Sequence, residues 1–187
     1  ADHLHRLALA GNDRLSTDLQ HLVSNEDVRW GFASDVGNRY RIDKVRRKDA
    51  DVIGAILEAA GVGEWWELTQ VFFHDHPECC GVARDANGRV GGYFVATSPG
   101  HAPAAAESDP LLGPWLRHCR EVLSTNRAVL YREAVDLTGE MGEITSLLGA
   151  GGMFATGVPN PRYVMLPISP VIPAAQAVSY PTVLPDV

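Results

Sequence analysis

Apolar positions recur along this chain at two different periods, and the places where the period changes mark out its elements. Residues 1 to 38 are polar with scattered leucines. Only "STDLQHLV" has helical spacing there, with Leu19, Leu22 and Val23 following Ser16 or Thr17 as N-cap. From Tyr40 the period is two: "YRIDKVRR" alternates Tyr40, Ile42 and Lys44 with Arg41, Asp43 and Val45, which predicts a strand. The period then lengthens. Val52, Ile53, Ile56, Leu57 and Ala60 share one stripe of "DADVIGAILEAAG", a helix expected to be capped by Asp49 and stopped at Gly61. A second helix is predicted for "EWWELTQVFFHDHP", with Trp65, Leu68, Thr69 and Phe72 as its apolar stripe, until Pro77 pushes His76 out of helical geometry.

Alternation returns in "CCGVARDANGRVGGYFVATSPG", which reads as two strands joined at Asn87-Gly88, residues that tolerate positive φ. After the alanine- and proline-rich loop "PGHAPAAAESDP", the stretch "LLGPWLRHCREVL" places Leu112, Trp115, Leu116, Cys119, Val122 and Leu123 on one helical face. "RAVLYREAVDLT" is a strand, with Val129, Tyr131, Glu133 and Val135 expected on one face and Leu130, Arg132, Ala134 and Asp136 on the other. "TGEMGEITSLL" then gives two glycines and a short helix with Ile144, Leu147 and Leu148 inward, and "GAGG" at residues 149 to 152 reads as its stop. "PRYVMLPISP" is a last strand. Pro170, Pro173, Pro181 and Pro185 keep the tail out of regular structure.

Three stretches carry candidate chemistry. "HDHPECC", residues 74 to 80, gathers two histidines and two cysteines, but H-x-H-x-x-C-C lacks the spacing of a tetrahedral zinc site. Adjacent Cys79 and Cys80 are expected on opposite faces of a strand, so the segment reads as a metal-free helix end followed by two buried thiols. Glu133, a carboxylate inside an apolar strand, is either on a solvent or edge face or a general base at a cleft. In "TGEMG" two glycines precede a helix, an arrangement in which backbone amides can cradle a phosphate, although G-x-x-G is by itself a weak signal.

Composition narrows the partners. The 187 residues are 45% hydrophobic, enough for one sizeable core, and the net charge of −7, with no basic run beyond "KVRR" and "RRK" at 44 to 48, argues against nucleic acid. No window approaches a membrane-spanning length, and "ADHLHRLALAG" is too short and polar for a signal peptide. Three cysteines fit a reducing setting. These features predict a cytoplasmic protein, free of membrane; the lack of an initial methionine suggests an excised or processed piece.

The order strand, helix, helix, hairpin, strand, glycine-bearing turn, helix, strand resembles the GNAT superfamily of acyl-CoA-dependent N-acyltransferases. "VRRKDADVIGAILEAAG" looks like the family's opening strand and first helix, "VARDANGRVGGYFVA" like its second and third strands, and "YREAVDLTGEMGEITSLL" like its fourth strand, pyrophosphate loop and next helix. The resemblance implies an α/β domain at 39 to 169, built on a mixed, mostly antiparallel twisted sheet flanked by helices and incomplete at its C-terminus. A helical extension at 1 to 38 precedes it and the proline-rich tail at 170 to 187 follows.

It also implies transfer of an acyl group from acetyl-CoA or another acyl-CoA to a small-molecule or protein amine. The cosubstrate would enter between strands 128 to 137 and 162 to 168. Thr138, Gly139 and Gly142 would bind its pyrophosphate, Glu133 would deprotonate the amine, and Tyr163 or Tyr180 would protonate the departing thiolate. The chain departs from the family in two respects. The arginine- or glutamine-led loop motif is absent, and Glu140 and Glu143 stand where an anion would bind. A further helix and two strands expected after the fifth strand are also absent, which implies a truncated piece, a second copy or other chain that completes the sheet, or 38 N-terminal residues that fill the gap. These departures give the alternative: a non-catalytic GNAT-like module that binds a ligand or a protein.

Overall fold

The computed structural model describes residues 39–138 and 143–167. The helix expected at 16 to 23, the proline-rich tail, Gly139, Gly142 and Tyr180 lie outside them. Strand β1 (Tyr40–Asp43) leads into helices α1 (Arg47–Ala59) and α2 (Gly63–Asp75), and a 3₁₀ turn (Pro77–Cys79) opens the hairpin β2 (Cys80–Asp85) and β3 (Val90–Thr97). Helices α3 (Ala104–Ser108) and α4 (Leu112–Glu121) precede β4 (Ala128–Asp136), and α5 (Glu143–Ala155) carries the chain to β5 (Tyr163–Met165).

The strands form one sheet in the order β1-β2-β3-β4-β5, antiparallel except for the parallel pair β4–β5. The parallel pair follows from the connection, since a helical crossover through α5 returns the chain in the same direction where a hairpin would reverse it. The fold is thus the expected mixed, mostly antiparallel α/β sheet flanked by helices. Gly88, at φ 83°, supplies the hairpin's left-handed residue. Among the described residues no helix is long and apolar enough to cross a membrane.

Each face of the sheet has its own core. Cys80, Val82, Tyr93, Val95, Ala128 and Leu130 pack beneath α1, α2 and α4, whereas Ala83, Phe94, Ala96, Val129 and Tyr131 pack with Ile144 and Leu148 of α5. Several local expectations give way to these contacts. On α2 the buried residues are Trp66, Thr69, Phe72 and Phe73, while Trp65 and Leu68 are 40% and 48% exposed. The stripe is rotated because Trp66 and Phe73 each meet the Tyr93 ring edge-on, at 5.7 and 5.5 Å. Helix α1 starts at Arg47, so Asp49 is not its N-cap; it acts from the first turn, accepting the Arg46 amide at 2.7 Å. Helix α4 ends at Glu121 and leaves Val122, expected inward, exposed.

The "GAGG" stretch does not stop α5, which runs through it to Ala155. Tertiary packing overrides the low helix propensity of glycine there. A Cβ on Gly152 would overlap the Tyr131 ring, and one on Gly151 would come 2.8 Å from Ile42 Cγ1, so small residues let α5 lie close on the sheet. Cys79 and Cys80 do not face opposite sides. Cys79 belongs to the 3₁₀ turn, where strand alternation does not apply, and both thiols enter the core beneath α1 and α2.

Candidate functional site

The site is built by a slip of register in β4. Val95 of β3 faces Glu133, but the next residue, Ala96, faces Tyr131, so Arg132 is an extra residue in the ladder. A bulge of this kind re-aims side chains. Leu130 before it and Val135 after it both join the core beneath α1 and α2, while Tyr131 and Ala134 point toward α5. The strict alternation expected for residues 129 to 136 therefore breaks at Arg132-Glu133. Glu133 does not lie on a solvent face: it is 5% exposed, in a part of β4 that pairs with β3 on one side and lies beyond the β5 pairing, which ends at Leu130, on the other.

Around it the helices supply polar partners. Arg132 Nε donates to Asp109 Oδ2 at 2.7 Å, and its Nη1 donates to the Thr69 hydroxyl of α2 and lies 3.2 Å from Glu133 Oε2. Asp109 is itself fixed, since its Oδ1 accepts the amides of Leu111 and Leu112, both at 2.9 Å, at the start of α4. The Trp65 indole N–H donates to Glu133 Oε2, and its ring lies 4.7 Å from the Arg132 guanidinium carbon.

Three buried polar atoms here have no hydrogen-bond partner among the described residues: Glu133 Oε1, Arg132 Nη2 and the Tyr93 hydroxyl. Tyr93 stands beside Glu133 without a well-formed hydrogen bond to it. Burial above all, then the Glu133 charge, pushes its pKa well above the ordinary value and keeps it a protonated hydroxyl. The Cys80 thiol is raised too, by burial first and then by Cys79, Glu78 and Glu133.

The other expected residues fall elsewhere. Tyr163 opens β5 and pairs with Ala128, five residues from Glu133 along β4, a separation of about 16 Å at strand rise. The fold does not bring these two together. Thr138 sits just past β4, its amide and hydroxyl donating to Asp136 Oδ1 at 2.8 and 2.6 Å. Asp136 Oδ2 is buried without a partner, one more acidic oxygen at the entrance to the "GEMG" segment.

In "HDHPECC", His76 ends α2 with Nδ1 3.5 Å from Glu78, and Cys79 is pushed up to about 11 by burial and the Glu78 charge. Among the described residues no group of three or more histidine, cysteine, aspartate or glutamate side chains is placed to hold a metal ion. A separate groove of about 660 Å³ runs between α1 and α2, lined by Asp51, Glu58, Glu64 and Glu67 among others, and does not include Glu133.

Pattern reasoning thus missed Trp65, Thr69, Tyr93, Asp109 and Arg132. One signal was available, because two adjacent charged residues inside the apolar run "VLYREAV" would point to opposite faces of a regular strand, and only a bulge brings both to one side. Comparisons of the chain with protein-family models, with curated proteins and with solved structures give no match.

Proposed function

We propose that this is an acyl-CoA-dependent N-acyltransferase-like domain, transferring an acyl group from acetyl-CoA or another acyl-CoA to an amine. The observation that carries the reading is Glu133, a buried carboxylate with one oxygen unpartnered, on the strand that borders the parallel pair. The pairing of β4 with β5 ends at Leu130 and Met165, so β4 from Arg132 to Asp136 has no strand partner on that side among the described residues. A pantetheine arm, itself amide-bearing, fits such an open strand edge by backbone-type hydrogen bonds. Thr138 and the amides of Gly139 and Gly142 are the proposed contacts to its pyrophosphate.

In this reading the amine nitrogen attacks the thioester carbonyl, a C–N bond forms, and the C–S bond breaks. Glu133 takes the proton from nitrogen, directly or through water, and a hydroxyl gives a proton to the leaving thiolate. The resemblance implies Tyr163 or Tyr180 as the donor. Tyr93 lies nearer Glu133, but burial raises its pKa well above the ordinary value and makes it a poorer proton donor than a free phenol; the proton gained by Glu133 restores whichever hydroxyl acts. Chemistry of this type rests on positioning two substrates in one cleft.

The alternative is a non-catalytic module that binds a ligand or protein partner. It is favoured by acid at the loop, where Asp136, Glu140 and Glu143 oppose a pyrophosphate, and by Arg132, which partly neutralises Glu133. Calorimetry against acetyl-CoA and longer acyl-CoAs separates the two. The acyltransferase reading expects heat from the parent, weakened by the acidic loop, and a gain of about 1.4 kcal/mol, roughly tenfold, for Glu140→Gln. Glu133→Gln should bind acyl-CoA and transfer nothing. No heat from any of them at millimolar ligand leaves only the non-catalytic module.

A further inference from the structure

The side chains around Glu133 differ sharply in exposure. Arg132, Thr69, Tyr93 and Phe72 are buried, whereas Trp65, whose N–H occupies Glu133 Oε2, is 40% exposed. The path from solvent to the carboxylate therefore runs past the indole. Counted as ionised groups, Asp109, Arg132 and Glu133 sum to one surplus negative charge in a buried place, which a cation would balance. Glu133 Oε1 lacks a donor among the described residues, although Arg132 Nη2 and the Tyr93 hydroxyl nearby lack an acceptor. The surplus charge calls for a cation, and a cation with N–H groups would also serve the carboxylate oxygens. Outside, Leu68 stands one helical turn from Trp65 and is also exposed, so the approach to the carboxylate is an apolar strip on α2.

We propose that Trp65 is the acceptor-recognition residue of the site: its indole swings aside, and the N–H of a primary amine with an apolar stem replaces it on Glu133. The stem lies along Trp65 and Leu68. The naming of this amine as an acyl acceptor rests on the acyltransferase reading; the site itself rests on Trp65 and Glu133. Recognition by a donated hydrogen bond, and not by charge alone, separates a primary amine from a quaternary ammonium of similar size.

The test is made on the unaltered ¹⁵N-labelled chain by following the Trp65 indole N–H, assigned by its loss in Trp65→Phe, which keeps a ring over Arg132, or in Leu68-retaining Trp65→Tyr if the first variant folds poorly. Millimolar n-butylamine is expected to shift that resonance and to speed its hydrogen exchange several-fold. Butyltrimethylammonium, with the charge but no N–H, is expected to leave it in place, and Glu133→Gln to abolish the butylamine effect. No response to butylamine, or an equal response to both cations, overturns the proposal. Acetyl-CoA added to the same sample reads the parent hypothesis separately. Binding of acetyl-CoA with a silent indole ends the Trp65 proposal alone, whereas a butylamine response without acetyl-CoA binding upholds the amine site and ends the acyltransferase reading.

Discussion

Two arginines are buried on the same face of the sheet, Arg84 at 1% exposure and Arg132 at 0%, and their surroundings are built to different ends. Arg84 donates from Nε to Asp43 at 3.0 Å, from Nη1 to Asp49 at 3.2 Å and to the Gly88 carbonyl at 3.1 Å, and from Nη2 to Asp49 at 2.7 Å. Every nitrogen is used, and the guanidinium ties β1, α1 and the hairpin turn together. Arg132 leaves Nη2 free of a partner, beside a glutamate and a tyrosine each with an unpartnered oxygen. A closed network rigidifies a fold; an open one in the interior costs stability and is kept only where something else completes it.

The largest expected effect is a difference of sign between two isosteric changes. Asp49→Asn breaks a bidentate buried pair and leaves Arg84 without its main counter-charge, for a loss on the order of 3 kcal/mol. Glu133→Gln removes the surplus charge of the other cluster and gives its neighbours an amide that can both donate and accept. It should leave stability unchanged or raise it by up to about 1 kcal/mol. Urea denaturation midpoints decide the matter: equal losses from the two variants would erase the distinction between a closed and an open cluster.

The α5 face supplies a reference for packing without charge. Gly152→Ala drives a methyl into the Tyr131 ring and is expected to cost about 1–3 kcal/mol. At Gly149 an added Cβ meets nothing within 4 Å, and Gly149→Ala should stabilise α5 by roughly 0.5–1 kcal/mol. If Gly152→Ala cost more than Asp49→Asn under the same assay, packing on the far face would outrank the Arg84 network as the main constraint.

The closed cluster was partly legible in the sequence and the open one hardly at all. Alternation in "YRIDKVRR" and the Asn87-Gly88 turn depend on local chemistry and give β1 and the hairpin; the α1 stripe holds only at Ile53 and Leu57, since Val52 and Ile56 are exposed and the helix turns Asp49 and Ala50 inward, toward Arg84. The bulge at Arg132 depends on how β3 and β4 meet, so no period in β4 alone reveals it, and the parity of Arg132 and Glu133 is lost with it. Trp65 was assigned to the core because it is apolar. Its polar edge matters only once Glu133 is opposite. Glu133 itself stands out for the opposite reason, as a carboxylate in a run that is apolar apart from its neighbour Arg132.

The two clusters should also fail at opposite ends of the pH scale. Beside Arg132 the shifted groups are acids pushed upward, Tyr93 and Cys80 by burial first, with Cys79 nearby raised to about 11. Their neutral forms favour the fold. That contribution is whole below the unfolded thiol value of 9.0 and is lost as pH rises through the folded values. Native thiols should accordingly resist a disulfide reagent at pH 8 and react once the protein is unfolded by urea, with an expected rate difference of about 10-fold or more from thiolate fraction alone. Fast labelling of the native chain would mean that this side is less closed to solvent than its burial indicates.

The smallest effect belongs to Asp43, at the exposed rim of the Arg84 cluster. Burial disfavours its charge, but the Lys44 amide and the Arg84 and Arg46 guanidinium groups outweigh that and hold the carboxyl below its ordinary value of 3.8. The unfolded chain takes up this proton near 3.8, so the stabilisation is complete above that pH and is lost as pH falls through the lower folded value. Because the Asp43 side chain is 29% exposed and the Arg46 partner 49%, solvent screens the interaction and Asp43→Asn should cost less than about 1 kcal/mol at neutral pH. The gap between parent and variant should close only as pH falls through the lowered folded value, below which both carry a neutral side chain. A gap that persists unchanged there would show that Asp43 holds Arg84 through geometry alone, and that the closed cluster does not depend on its charge.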